Sequence, residues 1–397
     1  SLLKRPRARK AKACTIILVA FTRRNKMGFL FKKQRPFRAL VMDGGGMRGL
    51  YAATVLQSLM DLCSSPTGKA NASTPPPHAD LSKRFDLMAG TSTGGLLAAT
   101  LAYGCTLDEI IGIYKSSGQD IFPHPMPDYA SKHINSLAMS SWAVRFRDKC
   151  PGNPAALRAK LEEFLGAATL RELWEQKGVA LCIPVTNVTD RACLVFKTPH
   201  ASEDDGEATA EHRLVDVCMA TSAAPVIFPL ALTPAPGAPD SLIACTDGGL
   251  WANSPVLVAL LEAMKLHNGR PIETVVIGST GLAGDIVVKP GEENWGLMDW
   301  TMNSRLLELA METQSQGHYQ IARALIPHLK VKPAPVIIRL PYSFPSSDNA
   351  SLFGLDQARP KALEAMQAKG LEDAHNIYRK IRSNEDGLGI LAGILGN

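Results

Sequence analysis

Apolar positions fall along the chain in two alternating rhythms. Short apolar runs rich in β-branched and aromatic residues predict strands at Phe37–Met42, Phe85–Ala89, Val179–Val188, Cys193–Lys197, Leu242–Cys245 and Thr274–Gly278. Longer stretches with helical spacing predict helices at Leu50–Leu62, Gly94–Tyr103, Leu107–Ser116, Pro154–Leu165, Val215–Thr221 and Pro255–Lys265, then at Trp300–Arg323 and Pro360–Arg382. Strand and helix alternate up to about residue 280, which predicts an α/β fold whose mostly parallel central sheet is flanked by helices. From Trp295 onward the pattern is helical, broken by one strand-like run, Val336–Leu340. Pro, Gly and polar residues cluster at Ser64–Asp80, His200–His212 and Thr233–Ser241, which read as loops. Ile121–Pro151 mixes Pro, Met, Trp and basic residues and reads as a cap over the sheet end. The expected organisation is an extension over 1–36, an α/β domain over 37–290 with 121–151 as its cap, and a mainly helical region over 291–397 packed on that domain.

Charge separates the extension from the body. The first 38 residues hold thirteen of the 43 Lys and Arg and no acid, which leaves 30 bases against 37 acids in the remainder, a net −7. A mildly acidic body argues against a nucleic-acid partner. The basic leader contains an apolar stretch, Ala13–Phe21, too short to span a bilayer, and no small-x-small cleavage site follows it. It reads as a disordered or appended segment with Met27 as the natural start, or as a segment that touches anionic lipid. The eight cysteines show no C-x-x-C spacing and several sit in apolar runs, the pattern of reduced core thiols in a reducing cytoplasm. No structural metal is expected.

Three glycine-flanked motifs carry the candidate chemistry. Asp43-Gly44-Gly45-Gly46-Met47-Arg48-Gly49 follows the first strand and opens the first helix. Gly44, Gly46 and Gly49 satisfy G-x-G-x-x-G, so the turn cradles either a cofactor phosphate or the oxyanion of a reaction intermediate. A dinucleotide site wants an acid about 20 residues on, at the end of a second strand, and Leu62–Asp80 is a Pro/Ser-rich loop instead. Gly90-Thr91-Ser92-Thr93-Gly94 matches G-x-S-x-G between a strand and a small-residue helix, the context of a nucleophile elbow. Asp247-Gly248-Gly249 ends an apolar strand; alone it is a turn signal, and beside a candidate serine it offers a base. None of the nine histidines lies beside a comparable strand-end glycine cluster, so surface or structural roles are expected for them. No calcium loop of the D-x-[DN]-x-[DN]-G type occurs.

In that order, these three motifs and the block Ala220–Pro229 (ATSAAPVIFP) resemble the signature of patatin-like phospholipases, over roughly residues 37–280. The resemblance implies a three-layer α/β fold and a Ser-Asp dyad, with Ser92 as nucleophile and Asp247 as its base. It implies an oxyanion hole from Gly44, Gly45 and Gly46 with Arg48, supported by Gly90, Thr93 and Gly94 at the elbow and Gly248 and Gly249 at the turn. Arg48 then serves the oxyanion or a lipid phosphate, with a structural ion pair as the alternative. To work as a base, Asp247 must bond directly to Ser92 and be partly desolvated. No cofactor and no metal are implied. The resemblance implies as substrate a fatty acyl ester of membrane glycerophospholipids, met by a cytoplasmic enzyme at the inner face of the cell membrane. Thr106–Pro123, Val195–His200 and Asp247–Ala263 are similar to bacterial members that act as anti-phage effectors activated by cyclic nucleotides. A cyclic dinucleotide activator and a homo-oligomer are therefore expected partners, with a standalone lipid acyl hydrolase or a silent lipid- or nucleotide-binding module as the alternatives.

Overall fold

Strand β1 (Phe37–Met42) sets the layering of the molecule. Its run offers no polar side to water, so both faces must be covered. Leu40 and Met42 enter one core, while Phe37, Ala39 and Val41 enter a second on the opposite face. In the computed structural model, which describes residues 35–65, 80–127, 135–201, 206–279, 294 and 305–396, Pro36–Asn397 form one compact unit. The basic leader to residue 34, and the expected helix start at Trp300, lie outside the described residues.

The sheet has eight strands. Beyond β1 these are β2 (Leu87–Gly90), β3 (Ala180–Asn187), β4 (Ala192–Lys197), β5 (Ala231–Ala235), β6 (Ala238–Asp247), β7 (Ile272–Ile277) and β8 (Val336–Arg339). They lie in the order β5-β6-β3-β2-β1-β7-β8, with β4 paired to β3. Strands β3, β2, β1, β7 and β8 are parallel; β4 and β6 run antiparallel to β3, and β5 antiparallel to β6.

The helices are α1 (Gly49–Ser64), α2 (Thr93–Tyr103), α3 (Leu107–Ile121), α4 (Asn135–Arg145), α5 (Pro154–Leu165), α6 (Leu170–Lys177), α7 (Gly206–Thr209), α8 (Leu214–Thr221), α9 (Gly249–Ala252), α10 (Val256–Leu266), α11 (Arg305–Leu325), α12 (Pro360–Ser383) and α13 (Ile390–Leu395). The larger core packs α1, α2, α3, α5, α8, α12 and α13 on one face of the sheet. The smaller core packs α10 and Ala322 of α11 on the other. This is the expected three-layer α/β arrangement.

Several elements depart from the sequence expectation. Thr233–Ser241 is the β5–β6 hairpin and not a loop; β5 is an edge strand, which is where Pro234 can sit without breaking a ladder. Helix α6 was not expected. It is started by a capping box in which Thr169 accepts from the Glu172 amide and Glu172 accepts from the Thr169 amide. The stretch expected to form a cap contains a helix, α4. After α11 the chain returns to the sheet, and β8 pairs in parallel with β7, Arg339 opposite Val276.

Register brings the motifs together. Met42 lies opposite Gly90, so the turns after β1 and β2 leave the sheet at the same edge. On β3 Cys182 faces Ala89 of β2 and Val185 faces Asp247 of β6, so Asp247 reaches that carboxyl edge from an antiparallel strand.

Candidate active site

Ser92 sits between β2 and α2 at φ 55°, ψ −129°. A residue with a Cβ avoids this region, at a strain of order 1–3 kcal/mol, so the surroundings must impose it. Glycines at the elbow allow them to. A Cβ on Gly90 would fall 2.0 Å from the Gly94 carbonyl oxygen, and one on Gly94 2.2 Å from that of Met42. Thr221 Oγ1 accepts the Ser92 amide at 3.0 Å and donates to the Pro184 carbonyl at 2.7 Å. Thr91 Oγ1 donates to the Ala252 carbonyl at 2.6 Å. Ser92 is the N-cap of α2, yet its hydroxyl makes no capping bond; with Asp247 it lines one cavity, close enough to lower the pKa of that carboxyl. Thr93, its neighbour, lines the same cavity.

Asp247 is buried at the end of β6. The chain must turn away at once, and Gly248 makes this possible, because a Cβ there would fall 2.2 Å from the Pro184 carbonyl oxygen. The Gly249 amide donates to Asp247 Oδ1 at 2.7 Å. Burial pushes the carboxyl up to about 6, against the opposing pull of the nearby Ser92 hydroxyl and the Gly249 amide. The result is a more basic carboxylate than one in water, still ionised at neutral pH, with a serine beside it.

The glycine turn after β1 is more differentiated than its sequence suggests. The Gly44 amide donates to the Asn253 carbonyl at 3.0 Å, so it is spent on structure. Gly44 is there for close approach: its Cβ would lie 2.3 Å from Asn253 Oδ1 and 3.2 Å from Ser92 Cβ. The amides of Gly45 and Gly46 find no acceptor among the described residues. Gly46, at φ 56°, lines the same cavity as Ser92. Arg48 is buried and its Nε donates to the Gly45 carbonyl at 3.2 Å. Of the residues expected to form an oxyanion hole, Gly44 thus spends its amide on Asn253, Gly45 and Gly46 keep amides without an acceptor among the described residues, and Arg48 holds the Gly45 carbonyl.

A cavity of about 1090 Å³, its open mouth included, begins at Ser92 and Asp247 and runs along α2 past Leu96 and Leu97 to Thr100. Ile110, Phe164, Ile227 and Phe228 complete an apolar wall. Eight residues of helix separate Ser92 from Thr100, about 12 Å at 1.5 Å per residue, a length suited to a hydrocarbon chain.

A family model for patatin-like phospholipases matches residues 40–260, more than half of the chain. The chain belongs to the patatin-like phospholipase family. It is 29% identical to the cGAMP-activated phospholipase of Escherichia coli over 352 residues, 85% of this chain and 88% of that one. It is also 29% identical to the cGAMP-activated phospholipase of Pseudomonas aeruginosa over 279 residues, 68% and 72% of the two chains. Among solved structures, human GIVD cytosolic phospholipase A2 aligns at 12% identity and a TM-score of 0.44, covering 91% of this chain and 60% of that one. As a patatin-like phospholipase the protein is a lipid hydrolase.

The site of this patatin-like phospholipase includes residues that sequence reasoning did not single out. Asp43, at the head of the glycine turn, is buried against Arg339 of β8, Nη2 to Oδ2 at 2.6 Å. The Arg339 guanidinium lies 5.9 Å and 6.0 Å from the Tyr319 and Tyr342 ring centres. The Met47 amide donates to the Leu355 carbonyl at 2.7 Å, and Glu308 of α11 stands beside Arg48, its carboxyl pushed up to about 7 by burial. Thr221 was within the quoted ATSAAPVIFP block; Arg339, Leu355 and Glu308 had no local signal. The described histidines make no hydrogen bond to Ser92 or Asp247. His200 is buried between Thr198 Oγ1 at 2.7 Å and Glu262 at 3.2 Å, and the His212 ring nitrogens face the Thr209 and Pro234 carbonyls at 2.9 Å.

Proposed function

We propose that this patatin-like phospholipase cleaves fatty acyl esters of membrane glycerophospholipids through Ser92 and Asp247. A strained, uncapped serine beside a buried carboxylate, at the head of an apolar cavity, carries this reading. Asp247 takes the Ser92 hydroxyl proton as Oγ bonds to the acyl carbon, and the carbonyl electron pair becomes an oxyanion facing the Gly45 and Gly46 amides. Collapse breaks the ester bond, and the departing lysophospholipid alkoxide takes the proton back from Asp247. Water then repeats the sequence on the acyl-serine, releasing fatty acid. The catalytic unit in this reading spans 37–290, with 291–397 packed against it and bracing the glycine turn.

The proposal extends to regulation. Two relatives aligned over most of their length are named for activation by cGAMP, and blocks of this chain resemble anti-phage effectors, which supports a cyclic dinucleotide as activator in bacterial defence. The enzyme then works peripherally at the inner face of the membrane, and no helix among the described residues is long and apolar enough to cross one. Activation of a mostly closed enzyme requires differential affinity; moving a 1:99 population to 99:1 takes about 5.5 kcal/mol.

The test is hydrolysis of phospholipid vesicles by wild-type protein and Ser92→Ala, each with and without cGAMP. Wild-type release of fatty acid that rises with the nucleotide, and its loss in Ser92→Ala together with loss of fluorophosphonate labelling, is the expected result. Residual activity above a few per cent in Ser92→Ala would place the nucleophile elsewhere. Full activity without nucleotide, and no binding of it by calorimetry, would leave a standalone hydrolase.

A further inference from the structure

The cap carries a surface whose chemistry differs from the rest of the body. Val144 of α4 is 76% exposed, and Arg145, Arg147 and Lys149 around it are exposed as well. Beneath them lie two half-buried aromatic residues: Trp142, whose Nε1 donates to the His124 carbonyl at 3.2 Å, and Phe146, whose ring is 5.3 Å from that of His124. The Arg145 guanidinium and Lys149 ammonium lie 5.2 Å and 5.9 Å from the Phe146 ring centre. Three cations stand here against a single carboxylate, Asp148, in a body that carries a net −7 beyond residue 38.

This surface is tied to the mouth of the cavity. The cap leaves the body at Phe122, whose ring is 5.4 Å from that of Phe228, and returns at Gly152, whose amide donates to the Ile227 carbonyl at 3.0 Å. Ile227 and Phe228 line the cavity. Between Pro225 and Ile227, Val226 is held at φ 71° and is 60% exposed. A β-branched residue avoids this backbone region, and burial cannot be what compensates a side chain in water. Leu250, which also lines the cavity, is 46% exposed. Exposed aliphatic tips, aromatic side chains just behind them and flanking cations are the composition that seats a peripheral protein in the headgroup region of an anionic membrane.

We propose that the cap stretch 138–149, with Val226 and Leu250 at the cavity mouth, is the surface by which this protein docks on an anionic phospholipid bilayer. Docking there sets the opening of the apolar cavity against the leaflet, so an acyl chain leaves the bilayer for a second apolar environment without crossing water. The inference rests on the phospholipid-hydrolase reading for its purpose and on the cap's charge and exposure for its location.

Partition onto vesicles tests it, measured on full-length Ser92→Ala so that the lipid is not consumed. The vesicles are phosphatidylcholine alone and phosphatidylcholine mixed with phosphatidylglycerol. Each cation near an anionic surface contributes about fivefold in partition, so Arg145→Gln/Arg147→Gln/Lys149→Gln should bind the mixed vesicles on the order of 100-fold more weakly. Val144→Asp should lower binding to both kinds of vesicle. With Ser92 restored, both variants should cleave a soluble short-chain ester at the parental rate, which verifies the fold. Undiminished partition of the triple variant overturns the proposal. So does a change in self-association in place of a change in lipid binding, which would assign the surface to a protein contact. Charge-dependent partition by a protein that cleaves no phospholipid would sink the hydrolase reading and leave the docking surface standing.

Discussion

Asp247→Asn should give an inactive protein that is more stable than the wild type. The native carboxyl is pushed up to about 6 from an ordinary value of 3.8, with burial as the main cause. Below about pH 3 the native and unfolded chains both hold the proton and the group has no effect on stability. As pH rises from about 3 to 6 the unfolded chain ionises ahead of the native chain, and stability falls. Above pH 6 both are ionised and the loss is complete, about two pH units or about 3 kcal/mol. Asparagine is neutral throughout. Its side-chain oxygen can still accept from the Gly249 amide, and its NH₂ can donate to the serine oxygen. Urea unfolding followed by tryptophan fluorescence should therefore show the variant ahead by about 3 kcal/mol at pH 7, by about 1.5 kcal/mol at pH 5, by about 0.5 kcal/mol at pH 4 and by almost nothing at pH 3. Ester hydrolysis should be lost at every pH, since an amide cannot take the serine proton. A variant no more stable than wild type at pH 7, or a gap that persists on acidification, would refute the assignment of Asp247 as a desolvated base.

The same carboxyl should put an ascending limb near pH 6 in the dependence of kcat/KM on pH for a soluble ester; a limb near 4 would mean the base is not buried as described. Gly45→Ala should lower kcat by about 10²–10³ with little change in KM, because its Cβ would fall 2.5 Å from Ser279 Cβ and push the donor loop aside. A change confined to KM would remove the loop from oxyanion binding. Arg339→Met leaves the Asp43 carboxylate buried without its cation and should cost about 3–5 kcal/mol in urea unfolding, much of it recovered in Asp43→Asn/Arg339→Met. Failure of the second substitution to recover stability would mean that the pair is not coupled.

The parts of the site that are local in sequence were legible. A glycine two residues before Ser92 and another two after it announce a turn too tight for side chains, and the backbone contacts of Gly90 and Gly94 bear that reading out. The parallel strands were legible because burial on both faces leaves β1, β2 and β7 almost wholly apolar. The start of β6 was not, because Ala238–Ser241 is exposed and follows no apolar pattern. Helix α6 had a readable start in Thr169 and Glu172, and only its short length hid it. Which of the three consecutive amides of the glycine turn is spent on structure was beyond reach, since that depends on Asn253, some two hundred residues away. Arg339 was hidden for the same reason: a single arginine in a short edge strand acquires meaning only from the carboxylate it meets.

The ion pair between Asp43 and Arg339 joins residues 296 positions apart. At about 5–20 residues per second, a ribosome needs roughly 15 to 60 seconds to go from one to the other. During that interval the nascent chain already carries Ser92 and, later, Asp247, but the aspartate heading the glycine turn has no cation and the sheet lacks its β8 edge. The brace of the glycine turn is therefore made after both Ser92 and Asp247, so a nascent chain that already carries both side chains still lacks the contact that holds the turn beside them.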